Sequence, residues 1–322
     1  MDWILTHGDT DGMCSGAIAL SAHEGRKVFF SHPSGLAEDL RQVDGDVIIC
    51  DIALSSVHLK GVMSELERIK SGGNRIVYID HHPLPKNLKV EQFPGELVNS
   101  TMSCASELTY TYFKDVVPAD MSRVAIYGAI GDYLDRTYVI EKLLTNWEKR
   151  SLYLESGILI QAIDSTGRDY ESKRKIVDLL ASNRTPSSDE EMVGRAIAEA
   201  IAEEEMRNRI KEVVKTVGRV AYVLDLQWSM GKGAVYARAY GNALIGVGAE
   251  RRKGYIDMSL RTTSDQLNLN EIITTIAPRH NGSGGGHPKA AGARVPEGEF
   301  SAFLKDLDAS AAEIERKRTV EY

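Results

Sequence analysis

Apolar residues in the first eighty positions come in short, nearly continuous runs separated by amphipathic stretches. Trp3-Ile4-Leu5-Thr6-His7, Val28-Phe29-Phe30, Asp46-Val47-Ile48-Ile49-Cys50 and Arg75-Ile76-Val77-Tyr78-Ile79 read as strands, with helices expected over roughly 14–21 and 55–70. Strands without a polar face, alternating with helices, indicate a parallel sheet covered on both sides. In that architecture ligands collect beyond the carboxyl ends of the strands. Asp9, Asp51 and Asp80 each sit just past such an end.

Helical periodicity continues over roughly 103–114, 121–133 and 141–180. A polar break, Ser182-Asn183-Arg184-Thr185-Pro186-Ser187-Ser188, carries turn and N-cap residues and places a domain boundary there. Beyond it a long helix is expected over roughly 189–217, with Val193, Ile197, Ile201, Met206, Ile210 and Val214 near helical spacing. The pattern then starts afresh with strands over 219–224, 243–247 and 255–261 and a helix over 268–276. A glycine run follows, then a closing amphipathic helix marked by Phe300, Phe303, Leu304, Leu307 and Ile314. The expectation is an α/β protein: a parallel-sheet domain over 1–184 with helices on both faces, a linker and connecting helix over 185–217, and a smaller α/β domain over 218–322.

With 322 residues, 43% of them hydrophobic, each domain can bury its own core. No apolar run approaches membrane-spanning length, and the histidine at position 7 leaves no room for a cleavable leader. Cys14, Cys50 and Cys104 are odd in number and lack CxxC spacing, which suits reduced thiols in the cytoplasm. The net charge of -7 provides no broad attraction for a long nucleic-acid backbone. Any nucleic-acid partner is therefore expected to be short or locally gripped.

Candidate chemistry gathers at the strand ends. In an extended segment His7, Asp9 and Asp11 point to one side, so the H-x-D-x-D spacing can converge three ligands; alternatively, the aspartates cap a helix N-terminus. Asp51 and Asp80-His81-His82 follow two further apolar runs, and Gly131-Asp132 ends another. Charges repeatedly placed at an apolar sheet edge need compensation, so the joint pattern favours a metal site over coincident caps. Hard oxygen donors mixed with imidazoles suit divalent ions such as manganese. Asp51 is the natural bridging carboxylate for two ions about 3.5–4 Å apart, an arrangement suited to phosphoester hydrolysis. A second constellation is Gly284-Gly285-Gly286-His287-Pro288-Lys289, with Arg261 upstream. Consecutive glycines admit a phosphate to backbone amides; the alternative is a flexible loop. Trp228, Tyr236 and Tyr240 can stack a base or serve as anchors of the core.

Taken in order, His7-Gly8-Asp9-Thr10-Asp11-Gly12, Asp51, Asp80-His81-His82-Pro83 and Gly131-Asp132 resemble the signature motifs of the DHH phosphoesterase superfamily. Ser259-Leu260-Arg261 and the segment Gly284 to Gly292 resemble the DHH-associated domain of its RecJ and nano-RNase branch. The resemblance implies a manganese-dependent hydrolase with its active site in an interdomain cleft. It implies that His7, Asp9 and Asp51 hold one ion, and Asp11, Asp51, His81 and Asp132 the other. His82 would face the scissile phosphate, oriented by Asp80, while Arg261, His287 and the backbone of Gly284, Gly285 and Gly286 would hold a terminal phosphate or nucleotide. Residues 278–283 depart from the usual pattern of relatives. The substrate implied is a short single-stranded RNA or DNA cleaved to mononucleotides, with two divalent ions, manganese foremost and magnesium or cobalt as substitutes. Competing expectations are a linear- or cyclic-dinucleotide phosphodiesterase, a 3′-phosphoadenosine 5′-phosphate phosphatase, and a non-catalytic nucleotide-binding partner of replication or repair proteins. A homo-oligomer is compatible with each.

Overall fold

The structure, a computed structural model, describes residues 2–319. The chain divides into two compact units between Glu199 and Ala200. The first contains β1 (Trp3–Thr6), α1 (Thr10–Ala22), β2 (Lys27–Phe30), α2 (Leu36–Leu40), β3 (Val47–Cys50), α3 (Leu59–Ser71) and β4 (Ile76–Asp80). It continues with β5 (Glu96–Asn99), α4 (Ala105–Phe113), α5 (Ser122–Gly131), α6 (Tyr138–Leu144), α7 (Lys149–Thr166), α8 (Tyr170–Ala181) and the N-terminal part of α9 (Glu190–Val213), whose remainder belongs to the second unit.

Its five strands are all parallel, in the order β2-β1-β3-β4-β5. Alternate side chains serve opposite faces. Ile4, Ile48, Cys50, Val77 and Ile79 enter a core shared with α1, α4 and α5, whereas Leu5, Val47, Ile49, Ile76 and Tyr78 pack with Leu36 and Leu40 of α2 and Leu59, Val62 and Leu66 of α3. Burial on both faces is why these strands read as unbroken apolar runs. The cysteines are free and buried.

The second unit adds β6 (Lys215–Val217), β7 (Val220–Leu224), α10 (Met230–Tyr240), β8 (Ile245–Arg252), β9 (Tyr255–Thr262), α11 (Leu269–Ile276), β10 (Ser283–Gly286), β11 (Ala290–Pro296) and α12 (Phe300–Thr319). Its sheet runs β10-β11-β9-β8-β7-β6, with β7 and β8 parallel and the other pairs antiparallel. Val220, Ile245, Val247 and Leu260 pack with Ile273 of α11 and Phe303 of α12. On the opposite face, Ala221 and Val223 meet Ala237 of α10 and Met206 and Ile210 of α9.

Two boundaries differ from the sequence expectation. The stretch 141–180 breaks into three helices, at the Thr145 C-cap and at Gly167 with its φ of 53°. The long helix stops at Val213, and Lys215-Thr216-Val217 instead pairs with β7. Gly218, with φ 56°, supplies the left-handed turn that folds this β-branched segment back into a hairpin.

Candidate metal centre

Strand order places a crevice at the carboxyl ends of β1 and β3, because the chain leaves β1 for one neighbour and returns on the other side. His7 follows β1, Asp51 follows β3, and Asp80 ends β4 with His81 and His82 beyond it. Asp132 arrives from the other direction, as the C-cap of α5.

Asp9 serves as both cap and candidate ligand. Its Oδ1 accepts from the Gly12 amide at 3.0 Å, capping α1, while Oδ2 lies 2.8 Å from His7 Nδ1. Asp11, 2% exposed, accepts from the amides of Ala105 at 2.7 Å and Ser106 at 2.9 Å, which open α4. The positive end of that helix favours the carboxylate. Gly128 on α5 makes room: a Cβ there would lie 2.2 Å from Ser106 Oγ and 2.8 Å from Asp11 Oδ1.

Asp51 is buried and left-handed, with φ 57°, and its amide donates to the Ile79 carbonyl at 2.9 Å. Aspartate tolerates that conformation better than most residues. Its Oδ1 lies 3.3 Å from His81 Nε2 and its Oδ2 3.8 Å from His7 Nδ1. His81 Nε2 is also 3.8 Å from Asp11 Oδ2, and its Nδ1 is 3.7 Å from Asp132 Oδ2. Within this unit three groups of potential ligands contain Asp51: His7, Asp9 and Asp51; Asp11, Asp51 and His81; and Asp51, Asp80 and His82. Within each, ligand atoms lie within 4.8 Å of one another, and Asp51 is common to all three. In the last group Asp80 Oδ1 is already engaged with His82 Nδ1 at 2.8 Å.

The electrostatics identify what the donor set suits. Burial, then the charges of Asp9, Asp11, Asp80 and Asp132, push the Asp51 carboxyl well above the usual range. Burial also opposes ionisation of Asp9 and Asp80, but His7 and His82 respectively outweigh it and hold both carboxyls low. His7 is raised by Asp9; His82 is lowered by burial but raised on balance by Asp80; His81 is lowered by burial. Carboxylates that repel one another, with Asp11, Asp51 and Asp80 buried and imidazoles interleaved, are the donor set that divalent cations neutralise. The residues fit such ions.

No pattern in the sequence singles out Lys173 of α8. It is 8% exposed, and its Nζ donates to the Gly8 carbonyl between His7 and Asp9. Burial lowers its pKa, opposed by Asp9. Periodicity reads an isolated lysine as solvent-facing, so no local signal marks it.

In the second unit the glycine run is a strand at the sheet edge rather than a loop. Ser283–Gly286 is an edge strand paired with β11, and the Gly286 amide donates to Asn270 Oδ1 at 3.0 Å. Close packing accounts for Gly284, where a Cβ would lie 2.4 Å from Ile273 Cγ2 and 2.5 Å from the Gly292 carbonyl. Gly285 faces Gly292 across the ladder. The His287 amide donates to the Ala290 carbonyl at 2.7 Å, closing the turn, and Arg261 on β9 stands opposite Ala290. Tyr236 and Tyr240 stack on each other at 6.1 Å, Tyr236 hydroxyl binds Glu203, and Trp228 packs beside them. These rings anchor α9 to α10.

Residues 3–135 match the DHH family N-terminal domain, and residues 205–313 match the DHHA1 domain. No curated protein matches the chain in sequence. Among solved structures, the DHH domain of a member of the s1p family of ribosomal proteins has a TM-score of 0.69 at 17% identity, with 96% of this chain and 86% of that chain covered. RecJ from Thermus thermophilus in complex with Mn2+ has a TM-score of 0.62 at 16% identity, covering 97% of this chain and 52% of RecJ. The pGpG-specific phosphodiesterase PggH from Vibrio cholerae has a TM-score of 0.59 at 14% identity, covering 98% and 99%. At these identities the likeness is one of fold. With both modules matched in order, the chain belongs to the DHH family of phosphoesterases and carries a C-terminal DHHA1 domain.

Proposed function

We propose that this protein is a metal-dependent phosphodiesterase that trims short single-stranded oligonucleotides to mononucleotides. The observation that carries the reading is the position of Asp51, shared by the group with His7 and Asp9 and the group with Asp11 and His81. His7, Asp9 and Asp51 would hold one divalent ion, and Asp11, Asp51, His81 and Asp132 the other, with manganese the expected metal. When bound, such ions supply Lewis-acid polarisation of the phosphoryl oxygens. Asp80 ties down Nδ1 of His82 and favours its cationic form, so the role of His82 is to donate from Nε2 to the scissile phosphate. Arg261, His287 and backbone amides near Gly284 and Gly285 would grip the substrate's remote phosphate, positioning the reacting one.

A second reading, a linear-dinucleotide phosphodiesterase, draws support from extent. This chain and PggH cover each other almost end to end, whereas it covers about half of RecJ. Hydrolysis of end-labelled RNA and DNA from dimers to long single strands, with manganese, separates the readings. We expect kcat/KM for strands of a few nucleotides at least equal to that for long ones, since a charge of -7 gives length little benefit. A steady rise with length indicates a processive exonuclease, stalling beyond dimers the dinucleotide enzyme. Absence of turnover despite manganese binding indicates a non-catalytic nucleotide-binding protein.

A further inference from the structure

Immediately after Asp132 stands a tyrosine in a place built for glycine. Tyr133 has φ 60°, its amide donates to the Ile130 carbonyl at 3.3 Å, and the next amide, of Leu134, donates to the Ala129 carbonyl at 2.9 Å. Helices commonly end with a left-handed residue of this kind, and glycine usually fills it because a side chain there is strained. Tyr133 gains nothing in return from packing: it is 79% exposed and belongs to neither core of its unit. Strained residues of this type cluster where a ligand uses them.

The loop that carries Tyr133 is held at both ends. Upstream, a Cβ on Gly131 would lie 2.6 Å from Thr10 Cβ, so the end of α5 is pressed against the start of α1, between the candidate ligands Asp9 and Asp11. Downstream, Thr137 Oγ1 donates to Glu107 Oε2 at 2.6 Å, and Glu107 also accepts from Ser103 Oγ at 2.9 Å. Glu107 belongs to the same first turn of α4 whose amides hold Asp11. A solvated aromatic ring thus stands on a held backbone one residue from Asp132, whose Oδ2 is 3.7 Å from His81 Nδ1.

We propose that Tyr133 is a stacking platform for a nucleobase, a specificity residue that selects base-bearing phosphodiesters over other phosphoesters. The proposal rests on the phosphodiesterase reading and adds the recognition of the base. Stacking is tolerant of base identity, since every base has a π-face, and its removal weakens binding by about tenfold or more.

The test uses the full chain with Tyr133→Gly and Tyr133→Trp. Binding of adenosine 5′-monophosphate is followed by saturation-transfer NMR and titration, and KM and kcat are measured on an adenylate dimer with manganese. Tyr133→Gly relieves the backbone strain, so its Tm should rise while AMP binding weakens about tenfold and KM rises with little change in kcat; Tyr133→Trp should restore both. A purely structural tyrosine predicts the higher Tm with AMP binding unchanged, and that result overturns the proposal, as does wild-type protein showing no AMP binding. Turnover judges the parent reading separately. AMP binding that depends on Tyr133 without dimer hydrolysis leaves the platform standing and removes the phosphodiesterase, and hydrolysis insensitive to Tyr133 does the reverse.

Discussion

His81 Nε2 lies 3.3 Å from Asp51 Oδ1, with both side chains 2% exposed. Burial lowers the imidazole's affinity for a proton and raises the carboxyl's, so in the metal-free protein the pair is poorly placed to neutralise itself as an ion pair.

Asp51→Asn should therefore separate stability from activity. The unfolded carboxyl ionises near pH ~3.9, whereas the folded one resists ionisation until its raised pKa is reached. Wild-type stability contributed by this group thus falls as pH rises through that window. Denaturation in chelator should show the variant at least as stable as wild type, with the gap widening from about pH 4 upwards. With manganese the order reverses: wild type gains Tm, Asp51→Asn gains little, and turnover falls by on the order of a hundredfold or more. A full manganese-induced Tm gain in the variant would exclude Asp51 as the shared ligand.

Asp80→Asn tests the orientation of His82. The carboxylate accepts from the His82 ring at 2.8 Å and from its amide at 3.3 Å. Loss of that charge should lower the His82 pKa, seen by NMR titration of the ring, and reduce kcat by roughly ten- to a hundredfold, the range for groups that orient metal-site residues. Unchanged kcat would remove His82 from the chemistry.

Arg261→Ala and His287→Ala should raise KM by about tenfold, the loss of one charge-assisted contact. The manganese-induced Tm shift should survive in both, because neither is among the six residues proposed to hold the ions. Loss of manganese binding measured by calorimetry would contradict the assigned roles.

A different histidine should govern the pH response of the second unit. His280, 7% exposed, has Nδ1 3.0 Å from Glu299 and Nε2 3.0 Å from Asp306. The Glu299 hydrogen bond, opposed by burial and aided by Asp306, raises its pKa. The associated stability is fully present below the unfolded value of about 6.5 and is lost as pH rises through the folded pKa. Tm measured against pH should fall in that interval for wild type and remain flatter for His280→Gln. Parallel curves would show that the two carboxylates do not hold the imidazolium.

Much of the fold was legible because the parallel strands are buried on both faces, and unbroken runs such as Val47-Ile48-Ile49-Cys50 announce that burial. The candidate ligands were legible for a related reason: charges that interrupt such runs stand out. What escaped was set by distant partners. The α4 amides that hold Asp11 lie more than ninety positions away. Neither the left-handed φ of Asp51 nor the burial of Lys173 has a local signature. The strand β5, with only partly buried residues, and the short helix α2 lack the periodicity that marks their neighbours. Glycines 284–286 suggest a loop by composition, but β10 needs them small because α11 and β11 press on it.

The grip of Ala105 and Ser106 on Asp11 bears on how quickly the centre can be filled. A carboxylate already locked by two amides has no rotamers to search when a cation arrives, and the partial positive charge of α4 offsets some of the repulsion that would otherwise splay an empty site. Cation capture is then governed by shedding of water from the incoming ion rather than by rearrangement of the protein. Manganese, which exchanges its water readily, should load within the mixing time, while magnesium, which dehydrates reluctantly, should load measurably more slowly.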